Sequence, residues 1–325
     1  MKHITILVPE GAILGSLEGT RQMFTQVNQF MKAKGQPPLF AVQLAGLSKQ
    51  THLTGGLFTV NTDVAFTDIS KTDLIVIPAL DGDLQEAVER NRAFIQWIQE
   101  QYKNGAEVAS LCLGAFLLAS TGLVNGKKCA THWMAENEFR NRFPEVNLVT
   151  EKIITDEHRI YSSGGAFSYL NLILYLIEKY AGRDLAILSA KVFAIEIDRA
   201  NQLAFTIFQG QKGHEDETIR QAQAFIEKQV QEKVTVDQLA SMFAMSRRAF
   251  ERRFKKATSN TVAEYMQRVK IEAAKMSLES SRHNVNEVMY NVGYTDPKAF
   301  RTTFKRVTGL SPVQYRNKYN RLLAA

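Results

Sequence analysis

Six residues in the last third of the chain, Ala249, Phe250, Phe254, Lys255, Thr258 and Tyr265, recur fifty positions later as Ala299, Phe300, Phe304, Lys305, Thr308 and Tyr315. A repeat that keeps its apolar residues at i and i+4 obliges the chain to build one helical unit twice. Each copy opens on a residue with helix-capping chemistry, Ser246 or Asp296, and then sets Arg and Lys among apolar residues three and four apart. A shorter helix precedes each, with Val236, Leu239, Ala240 and Phe243 inward in the first and Val285, Val288, Met289 and Val292 inward in the second. The shorter helices match at a shift of 49 and the longer ones at 50, so the second turn holds one more residue, and Gly293 can supply a positive φ there. This is helix-turn-helix syntax at residues 234–256 and 284–306, and it predicts a domain that reads DNA twice.

The phenylalanines at i and i+4 of each longer helix belong to a small core, which leaves Arg247, Arg248, Glu251, Arg252 and Lys255 outward in the first copy and Lys298, Arg301, Thr302 and Lys305 outward in the second. Residues near the start of a recognition helix reach base edges and later basic ones hold phosphate, so these cations and Thr302 are the expected DNA contacts; base and phosphate roles are not separable from the sequence. Charge points the same way. The whole chain carries 40 Lys+Arg and 33 Asp+Glu, a net +7, but residues 217–325 hold 20 against 10, leaving 20 against 23 before them. Only the C-terminal third is built to meet a polyanion.

The first two hundred residues alternate β-like runs at 4–8, 40–47, 74–78 and 107–111 with helical runs at 85–102 and 115–120. That is the rhythm of an α/β domain with a mostly parallel sheet. Further strands are expected at 146–154 and 159–162 around a turn at Asp156, Glu157 and His158, then helices at 168–180 and 186–202. The polar, glycine-containing stretch from Gln209 to Asp216 reads as a linker. The expected organisation is therefore residues 1–209 as an α/β domain, 210–216 as linker and 217–325 as an all-α domain, with seven helices at 217–231, 236–243, 247–258, 261–278, 285–292, 297–308 and 312–318. The start of the chain lacks a signal-peptide core, and no apolar run approaches the roughly 20 residues that span a bilayer, so a soluble cytoplasmic protein is expected, with no membrane partner.

Cys112 and Cys129 are too few for a disulfide framework. Cys112 lies between an apolar strand and an apolar helix with Gly114 two residues on, a turn that exposes a nucleophile, and a helix N-terminus lowers a thiol pKa. Thr131-His132-Trp133 supplies a candidate base in His132 and an aromatic wall in Trp133; Glu18 supplies a carboxylate from the first βα loop. Cys129 reads as a small strand residue. The six histidines are scattered, and Cys129, His132 and Glu136 have no second cluster to complete a metal site. The Gly55-Gly56 pair lacks the lysine and serine that cradle phosphate, so neither metal nor cofactor is expected.

The stretch 217–319 resembles the DNA-binding domain of the AraC/XylS family of bacterial transcription regulators. The resemblance rests on Leu239-Ala240, Met245-Ser246-Arg247-Arg248, Arg253-Phe254-Lys255, Val292 through Asp296, Phe304-Lys305 and the specific run Gly309-Leu310-Ser311-Pro312-Val313-Gln314-Tyr315-Arg316. It implies two helix-turn-helix units joined by a long helix at 261–278 that enter successive major-groove segments of one face of double-stranded operator DNA. Ser259 departs from it, falling where the second copy has Gly309; a left-handed cap shifted to Asn260 is the expected accommodation. The preceding domain resembles the PfpI-type branch of the class I glutamine amidotransferase-like superfamily, in the version fused to AraC-type domains. Here the carriers are Cys112 through Ala119, Gly122-Leu123, Gly126, Thr131-His132-Trp133, Arg142-Phe143-Pro144, Ser162-Ser163-Gly164-Gly165 and Arg199-Ala200-Asn201-Gln202.

The second resemblance implies a flavodoxin-like three-layer parallel-sheet fold. It carries the family's cysteine and histidine onto Cys112 and His132, Glu18 matching only loosely, and sets Ser163 and Gly164 in the loop opposite the elbow. Two readings stand. One is a small-molecule sensor bound by Cys112, His132, Trp133, Ser163 and Gly164, with a quaternary amine or amino-acid derivative as the effector class. The other is a cysteine-dependent amidase, hydrolase or aldehyde-modifying enzyme using Cys112, His132 and Glu18. Fusion to a DNA reader makes binding sufficient and favours the sensor. A homodimer formed through the N-terminal domain, contact with RNA polymerase and an activator role complete the expectation.

Overall fold

The computed structural model describes residues 1–197 and 201–320, which form two compact domains, Met1–Gln202 and Leu203–Ala325. Strands of the first domain are β1 (Lys2–Val8), β2 (Phe40–Gly46), β3 (Gln50–Leu53), β4 (Phe58–Asn61), β5 (Val64–Ala65), β6 (Leu74–Ile77), β7 (Glu107–Leu111), β8 (Lys128–Cys129), β9 (Asn147–Leu148), β10 (Ile154–Glu157) and β11 (Ile160–Ser163). Seven make the central sheet in the order β10-β11-β7-β6-β1-β2-β5, parallel throughout except for the β10–β11 hairpin. Ile4, Ile6, Val8, Leu74 and Val76 face one layer of helices, α1 (Leu14–Ala33), α6 (Tyr169–Ala181) and α7 (Arg183–Val192). Leu7, Ile75, Ile77 and Val108 face the other, α2 (Leu84–Arg90), α3 (Ala93–Lys103), α4 (Ala115–Ser120) and α5 (Glu136–Arg142). The period-two alternation thus serves two apolar faces, as a parallel sheet covered on both sides requires.

Several boundaries differ from those read in the sequence. The helix expected over 85–102 is two, because buried Asn91 turns its side chain to the Glu10 backbone, accepting from its N–H and donating to its carbonyl, both at 2.9 Å. The hairpin turns at His158 and Arg159, which both take positive φ, rather than at 156–158. The helix expected over 186–202 ends at Val192, with Ala194 in the left-handed region; Arg199 and Ala200 lie outside the described residues. Residues 210–216 are not a free tether. They pack within the second domain, because Gly210, Gln211, Lys212 and His214 each have partners there.

The second domain is helical: α8 (Glu217–Lys228), α9 (Val236–Met242), α10 (Arg247–Thr258), α11 (Val262–Ser280), α12 (Val285–Asn291), α13 (Pro297–Thr308) and α14 (Pro312–Tyr319). Its two halves repeat each other at side-chain level. Phe254 meets Tyr265 edge to face at 5.3 Å and 83°, and Phe304 meets Tyr315 at 5.4 Å and 81°. The hydroxyls of those tyrosines donate to Glu227 and Glu279. Thr258 and Thr308 each donate back to the carbonyl four residues earlier at 2.8 Å and accept the N–H two residues later at 3.2 Å. Thr261 with Glu264 and Ser311 with Gln314 then form matching capping boxes.

Positive φ falls at equivalent points of both copies. Ala244 has φ 52° where Gly293 has 73°, and Ser259 has 56° where Gly309 has 73°. The cap therefore does not shift to Asn260. That residue is buried, its side chain donating to the Thr258 carbonyl at 2.6 Å and to Gln211 at 3.0 Å, while Ser259 itself takes the left-handed cap. Phe254 and Phe304, both fully buried in equivalent settings, should each cost about 3–5 kcal/mol when replaced by alanine. Urea unfolding of the full-length protein, followed in the helical transition, would show the two losses to be similar if the halves are energetically equivalent.

Candidate functional site

The elbow forms because β7 runs directly into a tight turn. Cys112 takes φ 51°, the turn Cys112–Gly114 is 3₁₀, and α4 starts at Ala115. A side chain on Gly114 would place its Cβ 2.3 Å from the Pro78 carbonyl oxygen and 2.8 Å from that of Ile77. Glycine thus lets the turn press against the end of β6. A non-glycine residue in the left-handed region is strained, and a nucleophile elbow holds its nucleophile in such a turn.

Sheet register brings the expected partners to this turn. Ser163 pairs with Leu111 across β11 and β7, and its Oγ lies 3.4 Å from the Cys112 backbone nitrogen. Ala130 donates to Ser162 Oγ at 2.6 Å, which draws the segment after Cys129 alongside, and Thr131 Oγ1 then donates to the Cys112 carbonyl at 3.0 Å. His132 follows directly, with the Trp133 ring tilted beside it at 5.5 Å. Gly164 closes the group: a Cβ there would lie 2.2 Å from Gln202 Nε2 and 2.8 Å from the Thr131 carbonyl oxygen.

Thr131 and Gln202 are the neighbours that the residue-type reading missed, although both stand in the runs that carried the family resemblance. Gln202 Nε2 donates to the Thr131 and Thr150 carbonyls at 3.0 and 2.6 Å. Its Oε1, buried, has no hydrogen-bond partner among the described residues.

The electrostatics overturn one expectation. Burial pushes the Cys112 thiol up from 9.0 to about 11, with the Leu113 N–H opposing it only weakly, so the expected lowered pKa is absent. The elbow supplies the backbone shape of a nucleophile site while withholding the solvation and positive charge that favour a thiolate. Burial lowers the His132 pKa and so favours its neutral ring, and Nδ1 accepts the Met134 N–H at 3.2 Å, which assigns the neutral ring's proton to Nε2. Glu18 lies inside α1 rather than in the first βα loop, and its carboxylate is taken by Arg21 at 2.7 Å in a bidentate pair that holds it below the usual carboxylate range. Cys129, in β8 as expected, is pushed up to about 12 by burial. Among the described residues no His, Cys, Asp and Glu cluster could hold a metal, and no helix is long and apolar enough to cross a membrane.

In the second domain Ser246 caps α10 at Ala249 N, 3.3 Å, and Asp296 caps α13 through Lys298 N and Ala299 N, with Pro297 in the first turn. Four residues separate α9 from α10 and five separate α12 from α13, the extra residue expected from the shift. Arg248, Arg252, Lys255, Lys298, Arg301, Thr302 and Lys305 are exposed, and among the described residues the six cations of that set make no ion pair. Arg247 is different: Asp237 holds it at 3.0 Å and Glu251 at 3.2 Å.

Comparison with known proteins fits both halves. Residues 26–179 match the DJ-1/PfpI family and residues 239–318 a helix-turn-helix domain family. The HTH-type transcriptional regulator GbdR of Pseudomonas aeruginosa is 24% identical over 265 residues, covering 81% of this chain and 71% of that one. CdhR, an HTH-type transcriptional regulator of the same species, is 26% identical over 259 residues, covering 79% and 76%. The chain is a DNA-binding transcription regulator of the AraC family with an N-terminal DJ-1/PfpI domain. The fold of the regulator's first domain is similar to that of a transcriptional regulator protein from Vibrio parahaemolyticus, at a TM-score of 0.53 and 21% identity over 59% of this chain and 98% of that one.

For this regulator the thiol environment has a direct readout. Iodoacetamide labelling of folded protein at pH 7–8 should be far slower than that of the urea-unfolded chain and should accelerate as pH rises toward 11; fast labelling at neutral pH would contradict the burial of Cys112 and Cys129. Because the folded state holds these protons longer than the unfolded one, stability should fall as pH climbs from about 9 toward 11.

Proposed function

We propose that the regulator senses a small metabolite beside Cys112 and, as a homodimer joined through the first domain, activates transcription from operator DNA by contact with RNA polymerase. The observation that carries the sensor reading is a buried thiol pushed up to about 11 within a strained elbow. Shape without reactivity suits a group that packs on a ligand. Cys112, His132, Trp133, Ser163 and Gly164 are the proposed ligand contacts, and Gln202 Oε1 adds an acceptor that a donor on the ligand can satisfy. Trp133 supports a quaternary amine or amino-acid derivative as the effector class, through cation–π attraction. Ligand binding acts by favouring one arrangement of the protein, which requires different affinities for the two states.

The elbow's positive φ also favours a second reading, a cysteine-dependent amidase, hydrolase or aldehyde-modifying activity in which Cys112 attacks with His132 as base. Cys112→Ser separates the two. The sensor reading predicts that ligand still changes operator affinity and transcription in this variant; the enzyme reading predicts turnover by the wild type that the variant loses. A screen of quaternary amines and amino-acid derivatives by thermal shift and operator titration would identify the effector, and no response from either class would remove this effector proposal.

The proposed DNA contacts are Arg247, Arg248, Arg252, Lys255, Lys298, Arg301, Thr302 and Lys305. Replacing Arg248 or Arg301 with alanine should cost about 1–3 kcal/mol at a single base position if the side chain reads guanine, and should weaken all sequences equally, with the salt slope reduced by about 1, if it holds phosphate. Arg247→Ala should weaken operator binding less than Arg248→Ala, since Asp237 and Glu251 already engage Arg247. Electrophoretic mobility shifts across a salt series would check both, and an Arg247→Ala loss equal to that of Arg248→Ala would show that Arg247 leaves its carboxylates on DNA.

A further inference from the structure

Residues 203–216, of which 210–216 were expected as a linker, lie along the helical domain from its second helix-turn-helix to its first. At the second, the Tyr319 hydroxyl donates to the Ala204 carbonyl at 3.0 Å and the Lys318 ammonium sits 5.0 Å from the Phe205 ring centre. Along α11, Lys275 Nζ donates to the Thr206 carbonyl at 2.5 Å and pairs with Glu272 at 2.8 Å, and Glu272 accepts the Phe208 N–H at 3.0 Å. Lys275 is 3% exposed. The Phe208 ring then meets Tyr265 edge to face at 5.1 Å.

At the first helix-turn-helix, Gly210 has φ 69°, and a Cβ there would lie 2.3 Å from the Tyr265 hydroxyl. Gln211 joins Asn260 and Gln223, and Lys212 pairs with Glu227 at 2.6 Å. Asp216 ends the run on Arg253 of the recognition helix α10, at 2.5 Å. One short segment is thus tied to both cores that carry the reading helices, and its middle is anchored by buried Lys275 and its partly buried partner Glu272 on the helix the two cores share.

A largely buried charged pair adds little to stability but can favour one arrangement, because each charge and each backbone group it serves has few alternative partners here. A second tie joins the halves independently. Lys270 Nζ donates to the carbonyls of Glu232 and Val292 at 3.2 and 3.1 Å, and a Cβ on Gly293 would stand 2.3 Å from the Gln231 carbonyl oxygen. The second turn is therefore pressed on the loop that leads into α9.

We infer that residues 203–216 are a splint that fixes the separation and rotational phase of α10 and α13, and that Lys275 and Glu272 are positioning residues for the half-site spacing that the regulator accepts. The inference concerns spacing alone and does not depend on the ligand or on Cys112. One base pair inserted between half-sites turns one of them by about 34–36° relative to the other, so a rigid reader rejects it and a loosened one tolerates it better.

The test uses the full-length protein and a duplex selected by the wild type from a randomised pool, with versions carrying one base pair added or removed between the two protected half-sites. For the wild type, affinity should fall at least about tenfold on insertion. In Lys275→Met, and separately in Phe208→Ala, affinity for the parent duplex should fall several-fold while the ratio of parent to inserted affinity shrinks by threefold or more. Arg248→Ala, which leaves the splint intact, should lower affinity for both duplexes and keep the wild-type ratio. Circular dichroism identifies a variant that does not fold, and the ratio is then read from the other. A ratio within twofold of wild type in a folded splint variant overturns the inference, as does a wild type that binds both spacings alike. If neither Lys275→Met nor Phe208→Ala folds, the segment is needed for folding of the domain and its assignment as a spacing device falls.

Discussion

The second domain depends on one uninterrupted helix. α11 contributes Tyr265 and Val269 to the core around Phe250 and Phe254, and Ile271, Ala274 and Leu278 to the core around Phe300 and Phe304. Neither core is complete without it, and at 1.5 Å per residue the step from Tyr265 to Leu278 is about 20 Å. Packing on the two ends of a single helix links the positions of the reading helices as two separate domains on a flexible tether could not. The matched geometry of the halves follows: Thr258 and Thr308 close equivalent helix ends, and Tyr265 and Tyr315 reach equivalent glutamates.

Much of this was legible because the relevant signals are local. The fifty-residue echo, the i and i+4 phenylalanines and the capping residues are short-range features, and all seven helices of the domain lie close to their expected positions. The parallel strands were legible for a related reason: sheets covered on both faces leave apolar runs such as Ile4 to Val8. What escaped depends on distant partners. Nothing near Asn91 announces that the Glu10 backbone will claim its side chain and break a helix. Polar residues with two glycines read as a linker at 210–216, but Tyr265, Glu227 and Asn260, well away in sequence, hold it against the helical domain.

The elbow shows the same division more sharply. That Cys112 would sit on a tight turn between strand and helix was readable from Leu111, Gly114 and the apolar helix behind them. Its ionisation was not, because that depends on how completely the rest of the domain buries the residue, which is 3% exposed. A helix N-terminus favours the thiolate and burial disfavours it, and at Cys112 burial is the larger effect. Glu18 failed for a nearer reason: three residues on, Arg21 is close enough to take its carboxylate, a pairing that helical spacing favours once α1 is known to begin at Leu14.

A helix that carries both readers also acts on the nucleic acid. With both recognition helices on one duplex, as proposed, any disagreement between the spacing that α11 sets and the natural curvature of the duplex falls on the DNA as bending or twisting. The cost of that deformation varies with base sequence, and pyrimidine–purine steps yield most easily. The base pairs lying between the two recognition helices, touched by neither, would then be selected for how readily they bend.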